Sequence, residues 1–248
     1  MLFRSGQFNT TGNSNTFIGY YAGYRNTFGC YNNFFSRFAG ACNTTGNNNN
    51  FIGQCAGFAN TFGCFNNFFG TSGCSSAIVN GCYNQTNGYM SFVGNGQNNC
   101  ATQDYSSVLN GWVNCATGVF SSVVGGCGNI ASGYGSNLGG GFGNRVISTN
   151  SFIGGGVNNC VCICYGGDTG GVVVGGGANR VSANYGFIGG GCGNVLGGND
   201  NYQVIVGGVN NGISASGGSF IGGGSTNSIG GGGTGYRSEE HMSELQSH

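Results

Sequence analysis

Apolar residues in this chain come in doublets fenced by Gly and Asn. Near the start these are Phe17-Ile18, Phe34-Phe35, Phe51-Ile52 and Phe68-Phe69; later come Val123-Val124, Phe152-Ile153, Phe187-Ile188, Ile205-Val206 and Phe220-Ile221. Such runs are too short for a helix and lack a helical period, so they predict short β-strands. The Gly and Asn between them tolerate the positive φ that tight corners require.

The doublets belong to internal repeats. The first block repeats every 17 residues: Asn9, Asn26, Asn43 and Asn60 open its units, Thr10, Thr27, Thr44 and Thr61 follow, and Asn15, Asn32, Asn49 and Asn66 precede the apolar pairs. Alternate units read NTTGN and NTFGC, which superimposes a 34-residue repeat. The second block repeats mostly every 15 residues, as in SSVVGGCGNI and SFIGGGVNNC, with a marker at Asn84, Asn98, Asn114, Asn129, Asn144, Asn159, Asn179, Asn194, Asn211 and Asn227. Longer gaps place insertions near Tyr165–Gly171 and Asn199–Asn201. The organisation read from this is a lead-in at 1–8, 17-residue repeats at 9–74, 15-residue repeats at 75–236 and a foreign tail at 237–248.

A unit of 15 to 17 residues fits a β-coil of two short strands and two turns. Stacked copies would hydrogen-bond their neighbours and align identical Asn side chains into ladders. The expected fold is all-β, a parallel β-solenoid with about one coil per repeat. Neighbouring residues of a strand point to opposite faces, so each doublet puts one apolar group inside the coil and one outside. Phe17, Ile18, Phe51, Ile52, Val123, Val124, Phe152, Ile153, Phe187, Ile188, Phe220 and Ile221 are therefore candidates for the core or for an interface between copies. A strand apolar on both faces is usually buried on both, which predicts assembly; the alternative is an exposed stripe.

Composition sharpens this. The last twelve residues, RSEEHMSELQSH, hold all three Glu and both His, and resemble an in-frame translation of a sequencing adapter with Met242 in place of Thr. They are set aside as non-native. The residues before them carry five Arg and three Asp, a balance of +2, with no Lys, Glu, His or Pro. So sparse a positive charge argues against nucleic acid as a partner. No run of apolar residues is long enough to span a membrane.

The units NTFIG, SFIGG and SSVVGG resemble the repeats of trimeric autotransporter adhesin heads, and more closely those of tail-fibre-like proteins of phages and large DNA viruses. The resemblance covers residues 9–236. It implies a left-handed β-roll, a homotrimer, a surface glycan or receptor as partner, and an extracellular or virion-surface location. The units are longer than the usual adhesin-head repeat, and no neck, coiled-coil stalk or anchor is visible.

Candidate chemistry is thin. Asp104, Asp168 and Asp200 are far apart and no His, Lys or Glu precedes the tail, so neither catalysis nor a cofactor is expected. Cys160, Cys162 and Cys164 alternate on one strand face, but a fourth metal ligand is lacking. Cys100, Cys115 and Cys160 follow the marker Asn, where Ile130, Val146, Val181 and Val195 stand in other units. Cys82, Cys127 and Cys192 share another slot. Core packing is the favoured role, with disulfides between coils the alternative. Tyr105 and its equivalents are wall residues or platforms for a sugar. The expected function is a non-enzymatic adhesive fibre segment; the alternative is an ice-binding solenoid displaying the Thr row.

Overall fold

The computed structural model describes residues 4–58, 60, 61, 64, 66–69, 77, 78, 81, 83–162, 170–197, 202–214 and 218–230. The expected insertions, Cys82, Cys164, Asp168, Asp200 and the tail fall outside these residues in whole or in part. The chain is a parallel β-solenoid with no helix among the described residues, divided into two compact units, Met1–Gly135 and Ser136–His248.

In the first unit the 17-residue coils contribute one strand each: β1 (Thr16–Ile18), β2 (Asn33–Phe35), β3 (Asn50–Ile52) and β4 (Asn67–Phe69). They pair in parallel at a shift of one repeat, Phe17 beside Phe34 and Phe34 beside Phe51. The expected second strand is absent among the described residues. Its place is taken by tight turns, in which Tyr21, Phe38 and Cys55 carry φ of 58°, 58° and 59°. Gly40 sits at the end of such a turn because any Cβ there would run into the Phe34 ring. Backbone hydrogen bonds still join the turns from coil to coil, Gly23 N–H to Ala39 O at 2.9 Å and Gly40 N–H to Ala56 O at 2.8 Å, and side chains add to them. Asn26 Nδ2 donates to Asn9 Oδ1 at 2.9 Å, Asn43 Nδ2 to Asn26 Oδ1 at 2.6 Å and Asn60 Nδ2 to Asn43 Oδ1 at 2.8 Å. The phenyl rings of Phe17, Phe34 and Phe51 stack inside the coils, with centroids 5.2 and 4.8 Å apart.

The 15-residue coils are built differently, with two strands of two residues per coil. In the first unit Phe92–Val93, Ser107–Val108 and Ser122–Val123 form one parallel row, and Cys100–Ala101, Cys115–Ala116 and Ile130–Ala131 the other. In the second unit the rows run from Asn137–Leu138 through Phe152–Ile153, Val172–Val173, Phe187–Ile188 and Val204–Ile205 to Phe220–Ile221, and from Arg145–Val146 to Ser228–Ile229. A bridge column, Phe142, Val157, Gly177, Cys192, Val209 and Ser225, marks a third side. The core is one side chain thick: Ile153, Ile188 and Ile205 from one row are fully buried beside Val161, Val181 and Leu196 of the other.

A buried amide ladder sets the register. Within the first unit Asn114 and Asn129 lie in such a ladder, and within the second Asn144, Asn159, Asn179, Asn194, Asn211 and Asn227, all at most 9% exposed. Asn159 is representative. Its backbone N–H donates to Asn144 Oδ1 at 2.9 Å, and its Nδ2 donates to Gly155 O and to Gly176 O, both at 3.0 Å. Its Oδ1 accepts the backbone N–H of Asn179 at 2.9 Å. Every hydrogen-bonding atom of the buried amide is thereby used, as burial requires.

Asn98 is a correction. The ladder residue of that coil is Asn99, whose N–H meets Asn84 Oδ1 at 3.0 Å and whose Oδ1 receives Asn114 N–H at 3.0 Å. Asn98 is exposed, at the corner with φ of 54°. The ladder also continues into the first block, since Asn84 N–H donates to Asn66 Oδ1 at 3.1 Å. Three residues before each ladder Asn stands a glycine such as Gly156, at φ of 93°, where a Cβ would collide with the carbonyl of Gly176.

Candidate functional site

For the doublets whose burial is described, the two faces are resolved, and they differ between blocks. In the first block Phe17 and Phe51 point inward while Ile18 and Ile52 are 59% and 42% exposed. In the second block the order reverses for the aromatic doublets: Ile153, Ile188 and Ile221 are buried, whereas Phe152 and Phe220 stand 41% and 44% exposed and Phe187 is half-buried. Val123 is buried and Val124 exposed. In the second unit Phe152, Val172, Phe187, Val204 and Phe220 thus form an unbroken outward apolar row, one per coil. Exposed Val174 and Val206 flank it, and Phe142, Val157 and Val209 are exposed on the bridge column.

Most of the cysteines do not take the core role expected. Strand register aligns Cys115 with Ile130, and Cys160 with Arg145 and Arg180. This slot faces outward; Val146 and Val181 occupy the next, inward one and align with Val161. Cys100 and Cys115, on successive coils with Cα atoms 4.6 Å apart, form a disulfide. Cys127, which bridges Trp112 in the first unit, is half-buried, and Cys192, on the bridge column of the second, is exposed. Cys160 is half-buried; burial first, then its hydrogen bond to Cys162, pushes its thiol up to about 12 against the pull of Arg180 and Arg145. Among the described residues no His, Cys, Asp and Glu group is placed to hold a metal ion, and no helix is long and apolar enough to cross a membrane.

The hydroxyls of the Thr row are engaged within the coils. Thr10, Thr27 and Thr44 each donate Oγ1–H to the carbonyl of the Thr one coil on, at 2.9, 3.1 and 3.0 Å.

Aromatic side chains gather on the outside at two places in the first unit. Tyr89, Tyr105, Phe120 and Tyr134 form an exposed column. Tyr105 and Phe120 stack at 4.8 Å, and Tyr89 and Tyr134 meet them edge-on. The second group lies at one corner of the 17-residue coils. There Tyr24, Ala41 and Phe58 share one register position, Tyr21 and Phe38 another, and Arg25 and Cys42 a third; together they line an open cleft of about 350 Å³. Tyr21 stacks on Phe38 at 5.6 Å and meets Tyr24 edge-on at 4.5 Å. The Arg37 guanidinium lies over the Phe38 ring at 4.9 Å, a cation–π distance. Arg4 reaches toward the Tyr21 hydroxyl at 3.5 Å. Sequence reasoning missed this corner, although the 17-residue spacing of Tyr24, Ala41 and Phe58 was there to be read.

Compared with known proteins, the chain matches no protein-family model and no curated sequence.

Proposed function

We propose that this chain is a non-enzymatic structural segment of an adhesive fibre, a homotrimer at an extracellular or virion surface that attaches to a glycan or receptor. The observation that carries the reading is the outward row of Phe152, Val172, Phe187, Val204 and Phe220. An apolar stripe running over five successive coils is what a self-associating face needs, and left open it would drive aggregation. The core is only one side chain thick, so burying this row against other copies would add much to stability. The ice-binding alternative draws less support, because the Thr hydroxyls that would face ice donate to carbonyls of the next coil.

Light scattering or sedimentation on the intact chain tests the proposal. The expected mass is three times 25.1 kDa. A chain that stays monomeric at high concentration would overturn the trimer, and thermal hysteresis from that monomer would restore the ice-binding reading.

A further inference from the structure

The geometry points to a binding site for an acidic saccharide in the corner cleft of the first unit, a carboxylated or sulfated sugar held between Tyr24 and Phe58 with its anion on Arg25. The inference rests on the adhesive reading and gives it a ligand class.

Three observations converge on the cleft. The first is how it arises. The backbone keeps these coils in register, Arg25 N–H donating to Ala41 O at 3.0 Å and Cys42 N–H to Phe58 O at 3.1 Å. The 34-residue super-repeat puts a ring on the first and third coils and only Ala41 on the second. The cavity opens where that ring is missing: Ala41, Tyr24 and Phe58 all line it. At about 350 Å³ it lies at the small end of ligand pockets, room for one or two sugar rings and not for a folded partner.

The second observation is charge. Arg4, Arg25 and Arg37 are the only charged residues before Asp104, and all three lie on or beside this corner. No carboxylate stands in the first 103 residues to neutralise them, so the corner attracts anions. A single guanidinium in the lining suits one carboxylate or sulfate, bound by a two-pronged hydrogen bond.

The third is the mixture of surfaces. Tyr24 and Phe58 offer apolar ring surface, and Tyr24 also carries a hydroxyl that can hydrogen-bond. An amphipathic wall of this kind matches a pyranose, which carries apolar C–H faces and a rim of hydroxyls.

Titration calorimetry on the intact chain provides the test, with three hexasaccharide probes and one nucleic acid: oligogalacturonate, a heparin fragment, neutral maltohexaose and a short oligothymidylate. At least one acidic sugar should bind and maltohexaose should not. Arg25→Gln should weaken that binding at least tenfold. Ala41→Phe should abolish it while leaving the circular dichroism unchanged, since Tyr24 and Phe58 show that this register position accepts a ring. If Ala41→Phe does not fold, Arg25→Gln alone decides. No affinity for either acidic sugar, or affinity untouched by a folded variant, would overturn the inference. Binding of oligothymidylate alone would replace it with a nucleic-acid site. Mass measured on the same samples separates the two readings. A trimer that ignores acidic sugars sinks only the saccharide site, and a monomer that binds them sinks only the trimeric fibre.

Discussion

At the scale of single residues, Asn99 shows why a carboxamide and nothing else suits the ladder. Its Oδ1 accepts from Asn114, and its Nδ2 donates to Asn95 O at 3.1 Å and Gly111 O at 2.8 Å. Asn99→Asp removes both donors and buries a carboxylate, so a loss of about 3 kcal/mol or more is expected. The sign with pH follows from burial. The new carboxyl would have a folded pKa above its unfolded value, so the damage is smallest below about pH 4, where the protonated group restores one of the two donors, and grows as pH rises. Asn98→Asp, on the exposed corner, should stay within about 0.5 kcal/mol. Urea melts of the two variants at acid and neutral pH check both. The adjacent asparagines also show how far the sequence could be read. The ladder position was legible from its 15-residue recurrence, and Asn84, Asn99 and Asn114 keep that spacing where Asn98 does not. Cys160 offers a second check at this scale. With its thiol pushed up to about 12 from an unfolded value of roughly 8.5, it stays neutral in the fold. Its contribution to stability is full below about pH 8.5 and is lost as pH rises toward 12. At pH near 8 it should alkylate more slowly than exposed Cys192, as peptide mapping after timed alkylation would show.

At the scale of the strand, two residues must settle which face is core. That each doublet splits inside and outside was legible; which member goes in was not, because both are apolar. The answer lies in the column. The partners of the Phe152 slot include Asn137, and the equivalent slot in the 15-residue coils of the first unit holds Ser107 and Ser122, whereas the neighbouring slot is uniformly apolar, with Val108 and Val123 in the first unit and Leu138 and Ile153 in the second. A slot that accepts polar residues faces out. Phe187→Asp and Ile188→Asp should therefore fail in different ways. Ile188 is fully buried, and a charge there should cost about 3 kcal/mol or more and lower the thermal midpoint. Phe187→Asp should retain its circular dichroism and, on the fibre proposal, lose its trimer in light scattering. The single strand of each 17-residue coil was not legible. Turns with Tyr21 and Phe38 at positive φ are uncommon for bulky residues, and nothing local in the sequence announces them.

At the scale of the whole molecule, each coil touches chiefly its neighbours along the stack, so stability accumulates coil by coil. The repeat made that much legible. Chain pairing across coils was not, as with Cys100 and Cys115, whose shared slot fitted a core role as well as a bridge. The disulfide they form has a mechanical consequence. Under tension a stack of this kind should come apart in increments, each 15-residue coil releasing roughly 50 Å of chain at about 3.3–3.6 Å per residue. The bond spans a sequence separation of 15, one full turn, and withholds that length from any pulling device. Optical-tweezer traces of the same chain with and without reductant should differ in total extension by about one such increment. The covalent tie would then act as a stop, limiting how far the chain can lengthen under load.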